Sequence, residues 1–164
     1  MPGIYSLQGW IGALLISLLL LPNSQNVPQA SEERRKTDSS DVYEAVVRYQ
    51  IKSWELAANS YCISIDGKDA TKDFLKRFGP APVKRASGCY KQTIETVSMA
   101  VLDKKSGKHS VIFNVESIHW LSDSDVEVEG GYLCGSLCMA GGVYHVIRDG
   151  THWVVKSYDV HAIS

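Results

Sequence analysis

The last third of the chain, residues 111–164, constrains the fold more than any other stretch because it repeats short alternating segments separated by turn signals. In DVEVEGGY, Val126 and Val128 fall on one face of a strand, and the two glutamates face the other way. Asp149-Gly150, between VIR and THWVV, predicts a two-residue type I′ hairpin turn. Residues 111–164 therefore predict a run of antiparallel strands joined by tight turns.

The strand predicted at residues 109–121 carries two sets of apolar residues that lie on different faces of a regular strand. The first set is Val111, Phe113 and Val115, and the second is Ile118 and Trp120. Only a bulge or a bend near Glu116–Ser117 places both sets in one core. Together with Gly130-Gly131 in the next strand, this pattern predicts a curved sheet.

Helices are predicted ahead of most of the strands. The elements predicted before residue 109 are a helix at 42–58, a strand at 61–65, a helix at 70–78 and a strand at 96–102. The first helix has a broad apolar face for packing on a sheet. Asp69 caps the second helix, and Gly79-Pro80 ends it. Helices followed by antiparallel strands predict a single α+β domain at residues 41–164.

The N-terminal segment, residues 1–30, contains no Lys, Arg, Asp or Glu and is similar to a secretory signal peptide. Trp10–Leu21 is nearly all apolar, and Ala30 provides the small residue of a cleavage site. The prediction is a cleaved signal and export to the periplasm or the medium. An uncleaved membrane anchor is the alternative, since the basic cluster Arg34-Arg35-Lys36 follows the apolar segment and no basic residue precedes it. Residues 31–40 are polar and are predicted to form a disordered linker.

The cysteine count agrees with export. The chain has four cysteines, an even number, and all lie beyond the N-terminal segment. In an oxidising compartment they predict two disulfides, for which three connectivities exist. The preferred pairing is Cys62–Cys89 with Cys134–Cys138, which requires the chain to fold back across Gly135. Free buried thiols are the alternative.

Charge and motifs exclude several functional classes. The net charge is −1, so the chain has no broad positive field for nucleic acid or for anionic lipid. Asp66 and Asp69 fit a turn and a helix cap, and Cys134, Cys138 and His145 lack the spacing of a zinc site. The chain also lacks a nucleophile motif around serine and a glycine-rich phosphate loop. Neither a metal nor a cofactor is predicted.

The candidate site is a pocket in the mouth of the curved sheet. His119, Tyr132 and His145 are predicted to converge there as polar groups among apolar walls, with Trp54 and Tyr49 of the first helix lining it. A histidine in such a place can act as a general base. The alternative is that each is an ordinary core or edge residue. If the bend at Glu116–Ser117 is real, His119 turns outward.

Three stretches carry a resemblance to a known family: DGKDATKDFLKRF, DVEVEGGY and THWVVKSYDVHAIS. They resemble the NTF2-like, or cystatin-like, cone and a group of small exported bacterial proteins of unknown role. The resemblance covers most of residues 41–164. It implies a long helix in the hollow of a curved antiparallel sheet. NTF2-like domains serve as isomerases, dehydratases, subunits and binding modules, so the fold alone decides no function.

Three functional hypotheses follow. The first is an exported, non-catalytic module that binds a small apolar ligand or a protein partner. The second is an NTF2-like enzyme, of isomerase or hydrolase type, that uses His119 or His145. The third is a structural envelope protein anchored by its N-terminal segment. A homodimer formed through the sheet is compatible with each of them.

Overall fold

The computed structural model describes residues 26–54, 58–94 and 98–164. Its elements are α1 (Asn26–Ser53), β1 (Tyr61–Ile65), β2 (Lys68–Asp69), α2 (Lys72–Lys76), β3 (Val83–Arg85), β4 (Cys89–Ile94), β5 (Ser98–Asp103), β6 (Val111–Ser122), β7 (Asp125–Gly135), β8 (Cys138–Asp149) and β9 (His152–Ile163). All nine of these strands belong to one sheet, against which α1 packs. The predicted α+β class is confirmed.

The sheet is mixed and not wholly antiparallel as predicted. β6, β7, β8 and β9 form consecutive antiparallel pairs, as the C-terminal pattern indicates. β1, however, runs parallel to both β3 and β6. The chain between β1 and β6 contains α2 and the β4–β5 hairpin, and a connection of that length allows β6 to start from the same end as β1. Alternation within a strand carries no information about this long-range pairing.

The predicted bend in β6 is confirmed. The register between β6 and β7 shifts between Val115 and Ile118, and the apolar residues on both sides of the shift pack in one core cluster. Val115 lies opposite Gly130. A Cβ atom at Gly130 would lie 2.6 Å from the Asn114 carbonyl oxygen, so the close approach of the two strands requires glycine there.

α1 is longer at its N-terminal end than predicted. It includes residues 31–40, for which a disordered linker was predicted from the sequence. Contacts with the sheet explain the difference: Asp38 pairs with Arg148 at 2.7 Å, and the Arg35 guanidinium lies 6.0 Å from the Trp120 ring centre. These polar residues are held by partners that are distant in sequence. The helix ends at Ser53, before the predicted end at residue 58.

α2 is shorter than predicted and has a different N-cap. Thr71 accepts a hydrogen bond from the Phe74 amide at 3.2 Å and caps the helix. Asp69, the predicted cap, lies in β2 opposite Ser64. Its carboxylate instead accepts hydrogen bonds from the amide and the hydroxyl of Ser87, at 2.7 and 2.5 Å.

The last hairpin differs from its predicted turn type, and the turn predicted at Asp66-Gly67 is present. Asp149 pairs with His152, so the last turn consists of Gly150 and Thr151, one residue later than predicted. Only Gly150 has a positive φ there, 61°, which is typical of type II′ and excludes type I′. Asp66 and Gly67, between β1 and β2, have φ values of 49° and 70° and make the turn with two left-handed residues.

Both predicted disulfides are confirmed. Cys62–Cys89 joins β1 to the start of β4, with the Cα atoms 6.1 Å apart. Cys134–Cys138 crosses the turn between β7 and β8, with the Cα atoms 5.3 Å apart. The bonds indicate an oxidising compartment. No helix within the described residues is both long enough and apolar enough to cross a membrane. The predicted signal segment falls mostly on residues 1–25, outside the described residues.

Candidate functional site

A cavity of about 410 Å³ lies between the C-terminal end of α1 and strands β7, β8 and β9. Its lining residues are Tyr49, Gln50, Ser53, Trp54, Tyr132, Tyr144 and Tyr158. Five of these seven side chains are aromatic, and we call this space the aromatic cavity. Its volume falls within the range of about 300–1,000 Å³ that small-molecule sites occupy.

Helical spacing explains the α1 wall. Ser53 lies four residues after Tyr49, so these two side chains leave the helix in similar directions, and Trp54 follows directly after the helix end. The Trp54 ring meets Tyr132 of β7 edge to face, with centres 4.9 Å apart. Tyr49 meets Tyr144 of β8 in the same manner at 5.9 Å. Rings of the α1 side and of the sheet thus pack edge to face with one another in the cavity wall.

Strand pairing explains the opposite wall. Tyr144 and Tyr158 are direct partners across β8 and β9, and their rings are stacked with centres 4.1 Å apart and an interplanar angle of 8°. Tyr144 is 1% exposed. The two stacked rings, fixed on paired strands, form the apolar part of this wall.

Gln50 is the one amide among the lining residues, and it is 2% exposed. Its Nε2 donates to the Gly131 carbonyl oxygen at 2.9 Å and to the Tyr144 hydroxyl oxygen at 3.1 Å. Its Oε1 is buried and has no hydrogen-bond partner within the described part of the chain. Such an acceptor costs about 1–3 kcal/mol when it stays unpaired, and here it belongs to a residue of the cavity wall.

The aromatic cavity is electrically neutral. None of the described residues that line it carries a formal charge. Burial raises the pKa of Tyr144, and the neighbouring Tyr158 adds to the rise. Burial also raises the pKa of Tyr158. Both phenols therefore stay protonated at neutral pH, and the cavity offers hydroxyl and amide dipoles among apolar rings.

The structure brings three of the five predicted site residues together. Tyr49, Trp54 and Tyr132 all line the aromatic cavity. His119 and His145 do not line it. His119 Nδ1 lies 3.8 Å from Glu127 Oε2, and its side chain is 75% exposed.

Both histidines point away from the core for reasons of strand geometry. The β6 bulge changes which residues face inward, so Ile118 and Trp120 pack on the core and His119 does not. In β8 the buried neighbours Tyr144 and Val146 place His145 on the other face. There His145 Nε2 lies 2.7 Å from Asp125 Oδ1.

Sequence reasoning missed Gln50, Ser53, Tyr144 and Tyr158. A signal for Gln50 existed: the α1 stripe contains Val42, Val46 and Val47, all fully buried, and a glutamine four residues after Val46 interrupts it. A polar residue inside an apolar stripe must find partners or bind a ligand. The two tyrosines had no local signal, because their pairing depends on the register of β8 and β9.

A larger groove of about 740 Å³ runs along β7, β8 and β9 and contains Glu129 and Met139. Met139 is 44% exposed and Ile163, at its end, is 78% exposed. The groove and the aromatic cavity are both open to solvent, and Tyr49 in the cavity wall is itself 38% exposed, but five aromatic rings line the cavity. The aromatic cavity is the better site for a small ligand.

The remaining polar clusters have structural explanations. Buried Asp103 accepts hydrogen bonds from the Ser60 hydroxyl and from the amides of Lys105 and Ser106, and it pairs with Lys84. Asp66 accepts a hydrogen bond from the Tyr43 hydroxyl at 3.0 Å. Within the described ranges, no group of three or more His, Cys, Asp or Glu side chains could hold a metal ion.

Comparisons of the chain with protein-family models, with curated proteins and with solved structures found no match. Its disulfide-linked α+β domain contains an aromatic cavity, and one residue of the cavity wall has a buried amide oxygen without a hydrogen-bond partner among the described residues.

Proposed function

We propose that this protein is an exported, non-catalytic binding module of the NTF2-like type, which takes a small, largely apolar ligand into the aromatic cavity. The observation that carries the proposal is the cavity itself, with five aromatic rings around a buried glutamine whose Oε1 has no partner among the described residues. Aromatic walls with a few fixed polar groups are how small-molecule sites are usually built.

The two disulfides support export, because such bonds form and persist outside the reducing cytosol. The long helix α1 on a sheet whose strand β6 bends at a bulge supports the NTF2-like type. The enzyme hypothesis receives less support. The two histidines on which it depends lie outside the cavity, and His119 is largely exposed.

The proposal predicts saturable binding of a neutral apolar probe. N-phenyl-1-naphthylamine, whose fluorescence rises in apolar surroundings, is titrated into the mature protein. The wild type should bind it at one site. Ser53→Trp places a large ring at an exposed position of the cavity wall and should weaken binding at least about tenfold, since the ring occupies the space that the probe needs.

Lys52→Trp is the matched control. Lys52 precedes Ser53 on the same helix and is also exposed, but it does not line the cavity. It should bind the probe like the wild type, and urea denaturation should show both variants folded. Equal binding by the wild type and Ser53→Trp, or no saturable binding by the wild type, would contradict the proposal.

A further inference from the structure

We infer that the ligand of the aromatic cavity is a neutral, planar ring compound that donates a hydrogen bond, through an N–H or O–H group, to Oε1 of Gln50. This inference rests on the proposed function and narrows it from apolar ligands in general to one chemical class. It follows from the orientation of one amide, from the shape of the walls and from the absence of charge on the described lining residues.

The orientation of the Gln50 amide is set by its neighbours. The Gly131 carbonyl oxygen can only accept a hydrogen bond, and it lies 2.9 Å from one end of the amide. That end must therefore be the NH2 group. The Tyr144 hydroxyl accepts the second hydrogen bond of the same group at 3.1 Å. Both donors of the amide are thus used within the protein, and the group left for a ligand is an acceptor.

The acceptor is short of a partner inside the protein. Gln50 is 98% buried, and its Oε1 has no hydrogen-bond partner within the described residues. The Tyr158 hydroxyl is also buried and has no hydrogen-bond partner within the described residues. A ligand donor at Oε1 satisfies the stronger acceptor of the two.

The walls select a flat ligand. Tyr158, whose ring stacks on buried Tyr144, and Trp54, on the α1 side, are partly exposed aromatic rings of the cavity wall. A planar ring gains stacking or edge contacts with such surfaces. A carboxylate would lose its hydration without a cation among the described lining residues, and it would face the partial negative charge of Oε1. Neutral heterocycles and phenols therefore fit better than anions.

The test compares indole with 1-methylindole, which differ by replacement of the N–H donor with a methyl group. Each compound competes with N-phenyl-1-naphthylamine for the wild-type protein. We expect indole to compete at least about tenfold more strongly, because only indole pairs with the buried acceptor. Gln50→Met keeps a side chain of similar length without the amide, and in this variant the two compounds should compete within about twofold of each other.

The outcomes separate this inference from the proposed function. If the wild type binds the naphthylamine probe but binds the two indoles with equal affinity, the inferred hydrogen bond to Gln50 is wrong and the proposed binding function is still supported. If the wild type binds none of the three compounds, both are wrong. If Gln50→Met binds the probe and still prefers indole, the acceptor is not Gln50.

A measurement on the wild-type protein tests the hydrogen bond to Gln50 even if Gln50→Met does not fold. In protein labelled with ¹⁵N-glutamine, a hydrogen bond to Oε1 changes the electron distribution of the amide and shifts the side-chain Nε2 resonance of Gln50. Saturating indole should move this resonance further than saturating 1-methylindole. Equal shifts with the two compounds would overturn the inference.

Discussion

The two disulfides make a quantitative prediction about stability. Cys62–Cys89 closes a loop with a sequence separation of 27, whereas Cys134–Cys138 closes one with a separation of 4. In the chain-entropy model the stabilisation grows with the logarithm of loop length. It comes to about 3.6 kcal/mol for the long loop and about 2 kcal/mol for the short one. Removal of the first bond should therefore cost about 1.5 kcal/mol more than removal of the second.

The assay compares the double variants Cys62→Ala/Cys89→Ala and Cys134→Ala/Cys138→Ala with the wild type in urea. Each variant keeps the other disulfide, and each replaces at least one buried sulfur, so the packing losses cancel in part. The first variant should have the lower free energy of unfolding. Equal losses, or a larger loss in the second variant, would refute the reasoning from loop length.

Two further predictions concern pH and export. Burial raises the pKa of Tyr144 in the folded protein, whereas the unfolded value is about 10. The folded state therefore holds this proton longer, and its contribution to stability is complete below pH 10 and declines as pH rises above that value. Urea curves at pH 9, 10 and 11 should show a smaller decline for Tyr144→Phe, and an identical decline would contradict the assignment. The exported protein should begin at Ser31 by intact mass, and a chain that retains residues 1–30 would support an anchor instead.

Local patterns predicted β1 and β5 to β9, because the information they need is local, whereas β2, β3 and β4 were not predicted as strands. Alternation located β7, and the change of face between Val115 and Ile118 predicted the β6 bulge. The observed disulfide pairing is the preferred one of the three connectivities that the sequence left open. The turn type of the last hairpin was wrong, because Gly150 supplies one left-handed residue where two were expected.

Local sequence patterns could not predict the long-range contacts. The parallel pairing of β1 with β6 and the helical state of residues 31–40 both depend on partners far along the chain, such as Arg148 for Asp38. The same limit applies to the site. Tyr49, Trp54 and Tyr132 are large aromatic residues on predicted inner faces, which local reasoning can find. Tyr158 enters the cavity wall only because β9 pairs with β8 in one particular register.

The central claim is that a small ligand occupies the aromatic cavity, and the tryptophan side chains test it most directly. Trp54 lies in the cavity wall, while Trp120 and Trp153 pack against each other elsewhere, with ring centres 5.7 Å apart. In ¹⁵N-tryptophan-labelled protein, saturating N-phenyl-1-naphthylamine should shift the indole resonance of Trp54 and leave those of Trp120 and Trp153 in place. A shift confined to Trp120 and Trp153, or no shift of Trp54 at saturation, would contradict the account.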